Sequence, residues 1–188
     1  MLRNTTASWG SLARLLHWVG AAGVIFLVVL GWWMTHVTGR SGRLPLYQLH
    51  SLIGYYVLLL FAARLVWRAF NPTPALPADS SRWARVAAHG AHGLLYLLTF
   101  GACVSGWVMV GTMRRPIEVT LFGFLPVPVL TRDRALHEML EDTHEMLSYT
   151  LLTLVAVHVV AALNHHFVHG NDVLRRMGWG ATTPAAPK

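Results

Sequence analysis

The sequence predicts an all-α integral membrane protein in which four helices form a bundle. Hydrophobic residues make up 54% of its 188 residues and charged residues 12%, which is about half the charged share of a typical soluble domain. The mean hydropathy is +0.46. A helix needs about 20 apolar residues to cross a bilayer, and four segments meet that requirement, at about 12–35, 46–70, 86–110 and 142–167. We expect one membrane domain over 1–188, with a basic cytoplasmic tail at 171–188.

The first apolar segment is interpreted as a membrane span and not as a secretory signal. Its apolar run is longer than that of a signal peptide, and no small-residue cleavage site follows it. Trp32 and Trp33 at its far end fit the aromatic belt of a membrane interface. In the second span, Gly54 lies one turn after His50, and its missing side chain leaves room for a flat cofactor.

The connections between the spans are predicted to be loops. The link NPTPALPADSSRW contains prolines and an Asp/Ser cluster, with Ser80 or Ser81 as the N-cap of the third span. The connection between the third and fourth spans is predicted to be exposed, with a short interfacial helix near Arg132 to Asp142. The basic tail is expected to fray.

Basic residues at the span ends account for the net charge of +7, so membrane topology explains the charge better than a nucleic-acid partner does. On the side of the two termini lie nine basic residues: Arg3, Arg14, Arg64, Arg68, Arg82, Arg85, Arg175, Arg176 and Lys188. On the other side lie six: Arg40, Arg43, Arg114, Arg115, Arg132 and Arg134. This asymmetry predicts that both termini are cytoplasmic. Cys103 is the only cysteine, which excludes an internal disulfide and the CxxCH attachment of c-type haem.

Four histidines within the spans fall at two depths. His144 and His158 are fourteen residues apart on the fourth span, which is about 21 Å and almost four full turns, so they share a face. With both termini on one side, His17 and His158 lie at the cytoplasmic level, and His50 and His144 lie at the outer level. Imidazole in hydrocarbon needs a partner. Two stacked haems, each with two axial histidines, satisfy all four, and a bis-histidine haem suits electron transfer.

The alternative for each histidine alone is a hydrogen bond to a neighbouring helix. Four histidines at two matching depths favour ligation. Other metals fit less well, because no carboxylate or thiol lies at these depths.

Two arginines are candidates to pair with haem propionates. Arg64 follows His50 by fourteen residues, so it faces the same way at the cytoplasmic level. Arg14 lies one turn before His17. An arginine that extends to the interface for topology is an equally good explanation for each.

Four further histidines have less defined roles. His165 follows His158 by seven residues and is a candidate hydrogen-bond donor to a quinone, although an interfacial role explains it equally well. His89 and His92 lie at the cytoplasmic level and could replace one of the two ligands there. Interfacial or propionate-bonding roles suit these two better, because they lie at a span edge beside polar residues. His137 is expected in the outer loop.

Ordered motifs over nearly the whole chain resemble the bacterial cytochrome b561 family, four-helix membrane cytochromes with two haems. The motifs are RLLHW in the first span, LHSLIG and ARLVWR in the second, NPTP in the link, AHGAHGLLYLL and SGWVM in the third, THEMLSYTLLTLVAVHVVAALNHHF in the fourth, and DVLRRM in the tail.

The resemblance implies ligation of two haem b groups by His17, His50, His144 and His158, in the bacterial inner membrane, and electron exchange with ubiquinone. The best-known branch is similar to a superoxide oxidase, which transfers electrons from periplasmic superoxide to ubiquinone. Arginines of the outer loops would then attract the superoxide anion, and nearby acidic residues would weaken this attraction. These arginines are Arg114, Arg115, Arg132 and Arg134, and the acids are Glu138, Glu141 and Asp142.

Three functions remain open from the sequence. The first is a superoxide:ubiquinone oxidoreductase. The second is an electron-transfer subunit that links the quinone pool to a periplasmic partner protein. The third is a four-helix transporter without redox chemistry, whose histidines bind a metal or a proton.

Overall fold

Four long helices dominate the fold. The computed structural model describes residues 1–6, 8–39, 42–75, 81–113, 117–128 and 130–178. The helices are α1 (Ser11–His36), α2 (Arg43–Ala69), α3 (Arg82–Gly111), α4 (Arg134–Phe167) and the short α5 (Val173–Met177). The first four are long and apolar enough to cross a membrane, so the predicted all-α four-helix architecture is confirmed. The predicted spans lie within these helices, except that Phe70 is the C-cap of α2.

The outer surface of the bundle is apolar. Large side chains such as Val29, Val66 and Val160 are exposed, and little of each apolar helix segment is buried inside the protein. In water this arrangement would expose a very large apolar surface. In a bilayer it is the expected one, because lipid covers the apolar side chains while each helix satisfies its own backbone groups.

Neighbouring helices in the sequence are neighbours in space: α1 packs along α2, α2 along α3, and α3 along α4. Small residues allow two of these close approaches. A Cβ atom at Gly23 would lie 2.8 Å from Val57 Cγ2, and one at Gly101 would lie 3.4 Å from Leu147 Cδ1. The contact between α1 and α4 is much smaller, which leaves a gap between the first and the last long helix.

The N-terminal ends of α3 and α4 are capped by side chains. Ser81 Oγ accepts a hydrogen bond from the Ala84 amide (3.1 Å), as the sequence predicted, and Ser80 lies outside the described residues. The Asp133 carboxylate accepts one from the Leu136 amide (3.1 Å). The prediction of a separate interfacial helix near 132–142 is wrong, because α4 is continuous from Arg134. No glycine or proline interrupts 134–167.

The connection between α3 and α4 folds into a hairpin. Strand β1 (Thr120–Leu121) pairs antiparallel with strand β2 (Leu125–Pro126). Ile117 and Val119 are buried against Tyr55 of α2, so the prediction of an exposed connection is wrong for this part. The reason is composition, because residues 119–130 carry no charge. We call this end of the bundle the hairpin end.

The opposite end carries the N-terminus and the last described residues, up to Gly178, and is called the terminus end. The indole Nε1 of Trp18 on α1 donates a hydrogen bond to the Met177 carbonyl of α5 (2.7 Å). The guanidinium of Arg176 donates to the Ala75 carbonyl of the α2–α3 link (2.7 Å). The residues up to Gly178, where the sequence predicted a fraying tail, are therefore attached to the bundle. Residues 179–188 of that tail lie outside the described residues.

Candidate functional site

Two pairs of histidines meet in the interior of the bundle. At the hairpin end, the rings of His50 on α2 and His144 on α4 have their centroids 6.1 Å apart. At the terminus end, His17 on α1 and His158 on α4 have theirs 6.4 Å apart, across the gap between α1 and α4. These are the two pairs that the depth of each histidine predicts.

The ring separations match two imidazoles on opposite sides of one metal ion. A metal–imidazole bond is about 2 Å and the nitrogen lies about 1.1 Å from the ring centre, so opposed rings have centroids about 6 Å apart. Direct hydrogen bonding between the two histidines of a pair is not observed among the described residues. The geometry therefore fits a shared metal at each pair better than a histidine–histidine hydrogen bond.

His144 is oriented by α3. Its Nδ1 lies 2.9 Å from the Ala102 carbonyl and 3.2 Å from Ser105 Oγ. When Nδ1 carries the proton and donates it to the carbonyl, Nε2 keeps its lone pair for a metal, as is usual for ligating histidines. A Cβ at Gly106 would lie 2.9 Å from His144 Cε1, so the ring needs a glycine there. Ser105 and Gly106 were not predicted to belong to the site, although both belong to the motif SGWVM.

His50 and His17 are positioned by packing. A Cβ at Gly31 would lie 3.4 Å from His50 Cε1. The Nδ1 atoms of His50 and His17 are buried and have no hydrogen-bond partner among the described residues. A buried polar atom without a partner is costly, so both rings have hydrogen-bonding capacity left for a group that is bound beside them.

Space for a flat group exists beside His50. Gly54 is one turn further along α2, and a Cβ placed there would meet nothing within 4 Å. The protein thus leaves open the space that the sequence assigned to a cofactor. Together with the opposed imidazoles and the absence of a CxxCH motif, this fits a haem that is held without a covalent link.

A third imidazole lies at the terminus end. The ring centroid of His92 on α3 is 5.5 Å from that of His158, closer than the ring of His17. The sequence indicated the correct level for His92 but not that its ring would contact that of His158. His89, one turn before it, lies 2.7 Å from the Arg85 carbonyl of its own helix.

The two candidate propionate partners differ in their surroundings. The Arg64 guanidinium lies 5.5 Å above the Tyr96 ring, and it is close enough to His17 and His158 to interact with both electrostatically. Arg14 instead donates a hydrogen bond to the Gly178 carbonyl, just past α5. Arg64 is therefore the better placed of the two for an anionic group at the terminus-end pair.

His165 lies on an open groove of about 490 Å³ on α4. Ala156, Val160 and Asn164 contribute to its walls. The Nδ1 of His165 is 3.2 Å from the Asn171 side-chain nitrogen, which fixes the direction of the ring. The groove combines an apolar wall with polar groups at one end.

At the hairpin end, His137 is part of α4 and not of a loop, so that prediction is wrong. Its Nδ1 lies 3.0 Å from the Met109 carbonyl at the end of α3. Of the four arginines expected to attract an anion, Arg114 and Arg115 lie outside the described residues. Arg132 is exposed, and Arg134 forms an ion pair with Glu138 (2.7 Å).

A bare metal ion is not favoured by the described part of the chain, because no group of three or more histidine, cysteine or carboxylate side chains is placed to hold one. Each histidine pair supplies only two ligands. A haem supplies the remaining four from its own ring, so two protein ligands are sufficient for it.

The fold and these pairs define a four-helix membrane protein with two candidate bis-histidine haem sites. The chain belongs to the prokaryotic cytochrome b561 family, whose model matches residues 8–180. It is therefore a multi-pass bacterial membrane cytochrome that transfers electrons with b-type haem.

Curated relatives cover most of the chain. It is 32% identical to "Cytochrome b561 homolog 2" of Escherichia coli strain K12, over 93% of each chain. It is 26% identical to "Probable superoxide oxidase CybB" of Yersinia pestis, over 86% of this chain and 90% of the relative. It is 24% identical to "Cytochrome b561 homolog 1" of Escherichia coli strain K12, over 86% and 92%.

Proposed function

We propose that the protein is a dihaem b cytochrome of the bacterial inner membrane that oxidises superoxide and reduces ubiquinone. The observation that carries the proposal is the pair of opposed imidazoles at each end of the bundle, with centroids 6.1 Å and 6.4 Å apart. The two sites are linked by α4, on which His144 and His158 stand about 21 Å apart along the axis. This is most of the thickness of the hydrocarbon core, about 30 Å.

The four histidines would hold the two haems, His50 with His144 and His17 with His158. A haem held by two imidazoles would supply one-electron transfer without oxygen binding. The protein's own contribution is to hold the imidazoles rigidly. The Ala102 carbonyl orients His144, and Arg64 supplies positive charge at the terminus-end pair.

Orientation follows from the basic residues. Nine of the fifteen lie on the side of the termini, so the terminus end faces the cytoplasm and the hairpin end faces the periplasm. Superoxide would then be oxidised at the hairpin end, and ubiquinone reduced toward the terminus end. The reaction balances with two superoxide anions and two protons per quinone, giving two molecules of oxygen and one ubiquinol.

Superoxide is an anion, so positive charge near the His50–His144 pair would raise its local concentration. Arg132 is exposed there, and Arg114 and Arg115 belong to the same connection in the sequence. Arg134 contributes less, because Glu138 neutralises it at 2.7 Å.

The groove beside His165 is the proposed quinone site. Its apolar wall, which includes Val160, suits a prenylated ring, and a histidine can donate a hydrogen bond to a quinone carbonyl. His165 follows His158 by seven residues, so it lies about 10 Å further along α4 than His158.

The test combines haem content with rapid kinetics. The purified protein should contain two haems per chain and show a b-type spectrum after reduction with dithionite. Superoxide should reduce the haems in a stopped-flow instrument, and the reduced haems should reoxidise when ubiquinone is added. A colourless chain would contradict the proposal entirely.

Two variants separate the surface roles from the haem sites. Arg132→Ala should slow reduction by superoxide several-fold at low salt, whereas Arg85→Ala, at the other end of the bundle, should not.

His165→Ala should slow reoxidation by ubiquinone with haem content unchanged, and His89→Ala serves as its control. If superoxide reduces the haems slowly, and the rate is the same in the native protein and in Arg132→Ala, the alternative function is favoured. In that case the protein is an electron-transfer subunit that connects the quinone pool to a periplasmic partner protein.

A further inference from the structure

The tip of the hairpin between α3 and α4 exposes three large apolar side chains. Phe122 is 57% exposed, Phe124 76% and Leu125 50%, and with Gly123 they form the hairpin tip. The rings of Phe122 and Phe124 lie side by side with centroids 6.2 Å apart. We propose that the hairpin tip is a membrane anchor, inserted into the lipid leaflet at the hairpin end of the bundle.

The depth of the tip follows from its contact with α2. The Phe122 amide donates a hydrogen bond to the Tyr56 hydroxyl (3.1 Å), and the two rings have centroids 5.6 Å apart. Tyr56 is six residues after His50 on α2, which is about 9 Å further toward the middle of the bundle. The tip therefore folds back along the side of α2 and does not project away from the bundle.

The edge of the bilayer can be placed on α4. Charged residues end at Glu145, and the charge-free remainder of α4, 146–167, is about 33 Å long, close to the thickness of the hydrocarbon core. His144 adjoins this edge, and His50 lies opposite His144. The backbone of the tip at Phe122, which bonds to the Tyr56 side chain, therefore lies up to about 9 Å inside the edge, which overlaps the depth of 5–10 Å at which interfacial apolar segments are found.

The backbone of the tip is suited to this position. Lipid tolerates irregular structure only where its polar groups are satisfied by the protein. The Phe122 amide is bonded to Tyr56, the Phe124 amide donates to the Leu121 carbonyl (3.2 Å), and the Val127 amide donates to the Val119 carbonyl (2.9 Å).

Composition also favours lipid over a soluble partner. The segment 119–130 has no charged residue, whereas surfaces that bind soluble proteins have a polar rim. A soluble protein would also have to displace lipid to reach the level of Tyr56. The charged residues around the segment in the sequence are Arg114, Arg115 and Glu118 before it and Arg132, Asp133 and Arg134 after it. Basic residues are in excess among these six, which suits the anionic headgroups above an inserted tip.

The experiment places a photoreactive probe on the tip. In a Cys103→Ala background, Phe124→Cys is labelled with a benzophenone maleimide, and the haem-loaded protein is reconstituted into vesicles of phosphatidylethanolamine and phosphatidylglycerol. After illumination, intact-mass spectrometry should find lipid adducts. Glu138→Cys, on α4 at the same end but outside the apolar stretch, is the matched control and should give at least tenfold less lipid adduct. Leu125→Cys repeats the measurement at the tip without altering an aromatic residue.

Lipid adducts at both tip positions and not at position 138 support the anchor. Labelling of a second copy of the chain at the tip would mean that the tip forms a dimer contact, and it would overturn the proposal. Equal, low adduct levels at positions 124, 125 and 138 would show that the tip lies in water, and they would overturn it too.

Discussion

At the scale of single residues, the orientation of His144 depends on its neighbours on α3. The Ala102 carbonyl and the Ser105 hydroxyl hold its Nδ1, and Gly106 leaves space for the ring. His50 has no such hydrogen bond among the described residues and is oriented by packing against Gly31. The two histidines of one pair thus depend on different kinds of support, one polar and one steric.

Replacing one histidine of a pair should remove one haem and keep the other. His50→Ala or His144→Ala should lose the haem at the hairpin end, and His17→Ala or His158→Ala the haem at the terminus end, because under the proposed function each pair would supply both protein ligands of one haem iron. Haem per chain, measured by the pyridine haemochrome method, should fall from two to one. Retention of both haems in any of these variants would disprove the assignment of that histidine.

Gly106 offers a test that leaves every ligand in place. Gly106→Ala should displace the His144 ring, since the new Cβ would lie 2.9 Å from its Cε1, and half of the haem should be lost. Gly101→Ala is the matched control on the same pair of helices, because its Cβ would meet only the flexible end of Leu147 at 3.4 Å. Equal haem content in the two variants would contradict this account of Gly106.

At the scale of elements, the point at which charged residues stop in the sequence does not coincide with the point at which a helix begins. Charged residues stop at Glu145, yet α4 begins at Arg134. A change in polarity marks the edge of the bilayer, whereas a helix ends where its hydrogen bonds and caps end. The first turns of α4 therefore extend beyond the membrane, capped by Asp133. The same distinction applies to α5, which carries Arg175 and Arg176 and is nevertheless docked against α1.

Docking of α5 should depend on Trp18. Trp18→Phe removes the hydrogen bond to the Met177 carbonyl, which is worth about 1 kcal/mol, or roughly a fivefold larger population of undocked α5. Limited trypsin digestion should therefore cleave after Arg175 and Arg176 several times faster than in the native protein. Trp83→Phe is the control, because Trp83 is exposed at the start of α3. Equal cleavage rates in the two variants would show that this hydrogen bond does not hold α5.

At the scale of the whole molecule, the packing between the first and the last long helix, α1 and α4, is much less extensive than that between sequential helices. The His17–His158 pair crosses that gap, and the His50–His144 pair links α2 to α4. A group bound at each pair would therefore join helices that the protein alone holds together poorly.

Haem should accordingly stabilise the folded protein. A ligand that binds only the folded state adds about 4 kcal/mol when its concentration is a thousand times Kd. Protein produced with limiting haem should unfold at a lower temperature, or at lower SDS content, than haem-loaded protein. The double variant His17→Ala/His50→Ala should unfold alike under both growth conditions. If the native chain also showed no difference, the stabilising role of haem would be refuted.

Much of the architecture could be predicted from the sequence, and the features that were not predicted have physical reasons. The hairpin was missed because its strands have two residues each, too short for an alternating pattern, and its three-residue loop, Phe-Gly-Phe, lacks the Asn-Gly signal of a two-residue turn. The buried positions Ile117 and Val119 lie between prolines and charges that indicate an exposed loop. His92 was placed at the correct level, but its distance from His158 depends on how α3 is rotated against α4.

The sequence by itself determined the four spans and the depth of each histidine, because both depend only on position along a helix with a fixed rise. The tertiary structure decided which rings face each other and how closely, that Arg64 lies beside the terminus-end pair while Arg14 bonds to the Gly178 carbonyl, and that the hairpin lies along α2. These features depend on the rotation and separation of helices, which contacts between residues far apart in the chain determine.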